Sequence, residues 1–202
     1  PRICFAVSSG SMDSMVNHYT AAKRKRNDDA YTPGGQSGFR PDRATVVYSK
    51  ILKSIYPDTP VLIGGIEASM RRLAHYDYWE DRLFPSILLE SKADLLIYGM
   101  GERPIVAIAK ALNEGKKISD LTEIPQTAYL ATTLENCAKK PVELYSYEDC
   151  LKNKILDAKN FRIIEEQSNA WRAEKIAQRF GDNYVVVNEP DFQMTTEELD
   201  AV

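Results

Sequence analysis

Three short apolar runs each break into glycine, and this repeated break constrains the fold more than any other feature of the chain. "ICFAV" runs into Ser9-Gly10-Ser11-Met12-Asp13. "VLI" runs into Gly64-Gly65-Ile66-Glu67-Ala68-Ser69, and "ADLLIY" into Gly99-Met100-Gly101-Glu102-Arg103. The runs are continuous rather than alternating, as strands buried on both faces are. Helical patterns lie between and after them. Ala44, Val47, Ile51 and Ile55 recur at helical spacing, with Asp42 placed as a cap and Pro57 as a stop. Ile105, Ile108, Ala109 and Leu112 follow Pro104 in the same way, and Gly115 ends that helix. The alternation predicts an α/β fold: a three-layer parallel-sheet sandwich of the Rossmann or flavodoxin kind.

The other segments are less regular. Asp13 or Ser11 is placed to cap a short helix carrying Met15, Val16 and Tyr19. Residues 21–42 are polar and rich in glycine and proline, which predicts a long loop, with residues 23–42 mobile in the isolated chain. Residues 68–92 read as helix in pieces, interrupted near Pro85. "QTAYLATT" alternates weakly, as a strand would. Residues 146–181 read as one or two helices ending at Gly181, and "NYVVVNEP" as a last strand. Thr195 and Glu198 form a capping-box pattern that starts a final helix.

A parallel sheet brings the three glycine loops to one edge, where open α/β sheets bind ligands. The candidate ligand-binding residues are Gly10, Ser11, Asp13, Gly64, Gly65, Glu67, Ser69, Gly99, Gly101 and Glu102. Asp13, Glu67 and Glu102 sit just past strand ends, as acid/base groups, as acceptors for ligand hydroxyls, or as helix N-terminal caps. His75 is placed either as a base or as a packed side chain. None of the loops matches GxGxxG or a Walker loop, so a dinucleotide or triphosphate site is not indicated. A hydrolase or transferase using Glu67, His75 and Asp13 is the weakest reading, because no nucleophile is paired with a base.

Net charge is -3 over 202 residues, which gives no drive toward nucleic acid or an anionic membrane. The apolar runs fall well short of the ~18 residues of a membrane span. The basic run Lys23 to Arg26 is countered by Asp28 and Asp29. Cys4, Cys137 and Cys150 are widely spaced and form no CxxC pair, and there are two histidines, His18 and His75. This predicts neither a disulfide framework nor a metal site, and fits a cytoplasmic setting. The chain opens inside a strand without an initiator Met, as a piece cut from a longer protein would.

The blocks "SSGSMDSMVNHYT", "DDAYTPGG", "VLIGGIEASMRRLAHYDYW" and "ADLLIYGMGER" resemble the YgiQ-type radical S-adenosylmethionine (SAM) proteins. The resemblance runs from residue 2 to about residue 130 and resumes at "NEPDFQMTTEELDAV". It implies an α/β domain over residues 1–189, N-terminally incomplete and similar to a cobalamin-binding domain. Residues 190–202 would then be a linker into a radical SAM barrel. In the family that barrel carries a CxxxCxxC triad holding a [4Fe-4S] cluster, on which S-adenosylmethionine is cleaved. Neither CxxxCxxC nor the cobalamin-ligating DxHxxG occurs here. The expectation is therefore a non-catalytic accessory domain. It would position an unknown small molecule or a cobalamin-like ligand over its own barrel; the alternative is a docking module with an empty site.

Overall fold

The computed structural model describes residues 2–202. The chain divides into two compact units, residues 1–98 and 99–202.

In the first unit the strands β1 (Phe5–Val7), β2 (Val61–Ile63) and β5 (Leu95–Ile97) form a parallel sheet in that order. Phe5 lies opposite Val61 and Leu62 opposite Leu95. All of β2 and β5 is buried, which is why their sequences are unbroken apolar runs. Burying side chains such as Leu62, Ile63, Leu95 and Leu96 contributes about 1.5–3 kcal/mol each. The helices of this unit are α1 (Ser14–His18), α2 (Ala44–Ile55), α3 (Gly65–Met70) and α4 (Ile87–Ser91). α2 packs on β1, β2 and α4. The α/β class read from the sequence is the class observed, consistent with a Rossmann-like sandwich.

The second unit adds four strands: β6 (Thr127–Ala131), β7 (Val142–Glu143), β8 (Ile176–Phe180) and β9 (Asn183–Val187). They lie in the order β6-β9-β8-β7, with β9 antiparallel to both β6 and β8, and β7 parallel to β8. Its helices are α5 (Glu102–Asn113), α6 (Tyr147–Lys152), α7 (Lys154–Asn169) and α8 (Thr196–Ala201).

Three local readings change. Residues 75–84 are a hairpin, not helix: β3 (His75–Asp77) pairs antiparallel with β4 (Arg82–Phe84). Residues 176–180 are strand β8, and Gly181, at φ 58°, turns the β8–β9 hairpin instead of ending a helix. Asp42 does not cap α2. It receives hydrogen bonds from Tyr19 and pairs with His18, leaving Arg43 at the N-cap in a left-handed conformation.

Candidate functional site

β1 and β2 are parallel, so the loops that follow them lie on one edge, and they touch. Gly64 N–H donates to the Val7 carbonyl at 3.0 Å. Gly65 adopts φ 79°, and a side chain there would come within 3.2 Å of Ser8 Cβ and 3.5 Å of the Gly10 carbonyl. Gly10 adopts φ 105°, and a side chain there would strike the Tyr31 ring at 2.5 Å. Glycine at these two positions therefore lets the chain pack against itself. Tyr31 is held in place by a 2.6 Å hydrogen bond between its hydroxyl and Ser11 Oγ.

The carboxylates at this edge brace helix starts. Asp13 caps α1, its Oδ1 accepting from the N–H groups of Met15 (2.9 Å) and Val16 (3.2 Å), while its other oxygen pairs closely with Arg71. Glu67 is fully buried and serves two helices at once. Its Oε2 accepts from Ser14 N–H at 2.8 Å in the first turn of α1, and its Oε1 from Thr45 N–H at 3.0 Å in the first turn of α2. Ser14 Oγ completes the α2 start by accepting from Ala44 N–H. Burial pushes the Glu67 carboxyl upward, but the Ser14 donors, Arg71 at 4.0 Å and Thr45 N–H outweigh it and hold the group below the usual range. No signal in the local sequence announces this double cap, because its partners are 22 and 53 residues away.

The remaining candidates are less enclosed. Ser11 and Gly65 are exposed and Ser69 is half-buried. Gly99, Gly101 and Glu102 fall in the second unit, where Gly101 precedes α5 and Glu102 opens it. Gly99 is exposed at φ 69°, and a side chain on it would meet Gln126 Nε2 at 2.9 Å.

The long loop is anchored rather than loose. Asp29 is buried and accepts from Asn17 Nδ2 (2.8 Å) and Tyr31 N–H (2.9 Å). His18 lies between Asp42 (3.0 Å) and Asp29 (3.3 Å). The hairpin holds the loop from outside: Lys23 Nζ donates to the Trp79 carbonyl and Tyr78 hydroxyl to that of Ala21. In the hairpin, burial together with Arg71 and Arg43 pushes His75 down to about 4, so its ring is neutral and Nδ1–H donates to the Leu73 carbonyl.

These donors do not suit the cofactors that the resemblance implies. Both histidines are engaged, His18 with two carboxylates and His75 with a backbone carbonyl. Cys4 lies in the first unit, whereas Cys137 and buried Cys150 lie in the second. Burial pushes the Cys150 thiol up to about 11, against metal ligation. Among the described residues no three His, Cys, Asp or Glu side chains form a group that could hold a metal ion.

The Radical SAM N-terminal family matches residues 1–202. The chain belongs to this family. It is 52% identical over 206 residues to a UPF0313 protein of Porphyromonas gingivalis, covering 99% of this chain and 32% of that relative. A UPF0313 protein of Geobacter sulfurreducens is 48% identical over 205 residues, covering 100% of this chain and 33% of the relative. One from Clostridium botulinum is 46% identical over 202 residues, with 100% and 31% covered. The chain thus spans about a third of the length of these relatives. No solved structure matches it. Among the described residues, no helix is long and apolar enough to cross a membrane.

Proposed function

We propose that this radical SAM N-terminal domain is a non-catalytic platform that presents the edge after β1 and β2 to the remainder of its parent protein and to the small molecule processed there. The observation that carries this reading is the fixing of the edge by Glu67 and Asp13. Both carboxylates are committed to helix starts and to Arg71, so they hold loops in place and are not free for proton transfer. Ser11, Gly65 and Ser69 remain as the groups of the first unit that would face a ligand. The cluster and S-adenosylmethionine belong to the parent chain, since the cysteines here do not form its triad. A histidine-ligated corrin is not part of the proposal. A cytoplasmic location accords with three free cysteines.

A second reading has its own support. Met12, Val16, Ile66 and Met70 are exposed apolar residues on the β1 and β2 loops and the helices that follow. Such side chains suit a docking face against another domain.

Removing residues 1–202 from the full-length protein separates the two. The platform reading expects the rest to reconstitute its iron-sulfur absorbance and to cleave S-adenosylmethionine reductively, with 5′-deoxyadenosine released without substrate turnover. Loss of the cluster absorbance itself favours the docking module. Unchanged substrate turnover refutes both.

A further inference from the structure

We propose that a further strand of the parent protein, from outside residues 1–202, pairs with β1 on its open side, and that the segment joined to it covers the neighbouring flank of α2. Residues 3–7 are an unbroken apolar run, the pattern of a strand buried in its sheet, as β2 and β5 are. β1 is not buried in that way. Ala6 is exposed, Ile3 is 43% exposed, and Cys4, Phe5 and Val7 are half-buried. Among the described residues β1 ends the sheet, with β2 beside it. Phe5 N–H donates to the Pro60 carbonyl and the Val7 carbonyl accepts from Gly64 N–H, so both residues turn their polar groups toward β2. Successive residues of a parallel strand point these groups to opposite sides, so the N–H and C=O of Ala6 face the open side. Sheet edges that face water are commonly guarded by lysine, proline or a bulge, and the run Ile3 to Val7 holds no charge and no proline.

α2 gives an independent sign of the same missing neighbour. Ile51 and Ile55 lie one turn apart and are 49% and 59% exposed. α2 packs on β1 and β2. Its Lys53 reaches Asp94, the residue before β5, at 2.8 Å, so that flank of the helix faces β5. Lys53 is two residues from each isoleucine, which puts it about 160° around the helix axis from both. With the strand order β1-β2-β5, the isoleucine flank therefore faces past β1. The open backbone and the bare apolar flank border the same space. A strand whose connecting segment lies against α2 satisfies the one and buries the other. The occupant is drawn from the parent chain because relatives 46–52% identical hold about two thirds of their length outside the matched region. A tethered strand also meets β1 at roughly millimolar effective concentration. A second copy fits less well: a two-fold axis sets β1 antiparallel to its mate, whereas β1 belongs to the parallel part of the sheet.

This site is distinct from the loops of the platform reading, and its test uses neither cluster absorbance nor turnover, so the two stand or fall separately. The test is residue-resolved hydrogen exchange on the full-length protein, with its mass followed by light scattering. The Ala6 amide should exchange on the order of a hundredfold or more slower than an unprotected amide, at a rate independent of protein concentration. Ala6→Pro removes that N–H without adding charge. An open edge tolerates proline and a paired one does not, so the full-length variant should melt several degrees below wild type. Ile51→Lys combined with Ile55→Lys should restore fast exchange at Ala6 while Leu95 to Ile97 stay protected, and it serves if Ala6→Pro fails to fold. Free exchange of Ala6 in wild-type protein whose β5 amides are protected would overturn the proposal. Protection of Ala6 that disappears on dilution together with a dimer mass would assign the edge to a second copy and overturn it too. Unchanged Ala6 exchange in the folded Ile51/Ile55 variant would remove α2 from the site and refute the composite surface.

Discussion

In the first unit many of the buried polar groups that tie distant segments together are ionisable: Glu67, the Asp13–Arg71 pair, Asp29 with His18 and Arg40, and Asp77 with Arg43, with neutral Ser14 and Asn17 beside them. In the second unit the corresponding ties are neutral amides. Asn188 Nδ2 donates to the carbonyls of Thr122 and Ile124 and to Thr127 Oγ1. Asn160 grips both backbone groups of Tyr145. The one buried charge in that unit's ties is Lys175, and its partner Glu123 is half exposed. The difference follows from the local fold. Parallel strands feeding helices gather helix N-termini, whose free N–H groups attract carboxylates. Antiparallel strands satisfy their own backbone, and only loop carbonyls remain to be caught. The first unit should therefore respond to pH and to charge removal more strongly than the second.

The largest expected effect is Glu67→Ala. It orphans the first-turn donors of two helices and leaves Arg71 less balanced, at a cost of about 3–5 kcal/mol. Hydrogen exchange should show lost protection in α1, α2 and β2, with β8 and β9 unaffected. A loss spread evenly over both units would break the comparison. Glu67→Gln should recover part of the loss, because its amide oxygen still accepts from one helix.

How much of this was legible in the sequence depends on whether the cause was local. β2 and β5 could be read because burial on both faces leaves an unbroken apolar run. The α8 capping box could be read because Thr195 and Glu198 are three residues apart. The double cap could not: the sequence offered Asp42 as the local cap for α2, while the groups used, Ser14 and Glu67, arrive through the tertiary fold. β8 was hidden because Gln178 is buried at a strand position where an apolar residue would have shown the pattern. The β3–β4 hairpin was hidden because its strands are aromatic and charged, with His75 stacked on Phe84 and Asp77 opposite Arg82. The meeting of the loops after β1 and β2 was legible as geometry, because parallel strands put those loops on one side. The present occupants of that side, Tyr31 and Ser8, were not, because they come from contacts between loops.

The second prediction concerns pH. His75 falls from 6.5 to about 4 in the folded chain, so the unfolded chain takes up its proton first as pH drops. The stability that this confers is complete above pH 6.5 and declines until pH 4, by at most about 3 kcal/mol. Asp29, Glu67 and Asp77 lie below their ordinary values, so their contribution, present above those values, is lost at still lower pH. Amides of β1, β2 and the hairpin should thus lose protection between pH 6.5 and 3 while β8 and β9 keep theirs. Asp157 in the second unit is raised by burial, which works in the opposite direction. In His75→Gln the slope between pH 6.5 and 4 should flatten; an unchanged slope would assign it to other groups.

Asn188→Ala sharpens the comparison from the other side. It removes one buried donor group from three acceptors and should cost about 1–3 kcal/mol. Because no charge is involved, the deficit measured by urea denaturation should be the same at pH 7 and pH 5. A deficit that changes with pH would show that this amide lock is coupled to an ionising group.

The smallest effect belongs to an ion-pair cluster that ties distant segments of the second unit near its surface. Arg103, in the first turn of α5, donates to Asp191 and to the Phe192 carbonyl (3.2 and 2.8 Å), and pairs closely with Glu198 of α8. These contacts are solvent-facing, and exposed ion pairs are weak and screened by salt. α8 also has support of its own, since Thr195 and Glu198 cap it reciprocally. Arg103→Ala should therefore leave the melting temperature close to wild type while speeding hydrogen exchange in residues 191–201. The same acceleration should appear in the wild-type chain at high salt. Thr195→Ala should mimic it at any salt concentration, because it removes the local cap and not the ion pair. If Arg103→Ala lowers protection in β6 and β9 as well, the charge at Arg103 is structural for the whole unit, and the division between a charge-tied and an amide-tied half of the molecule fails.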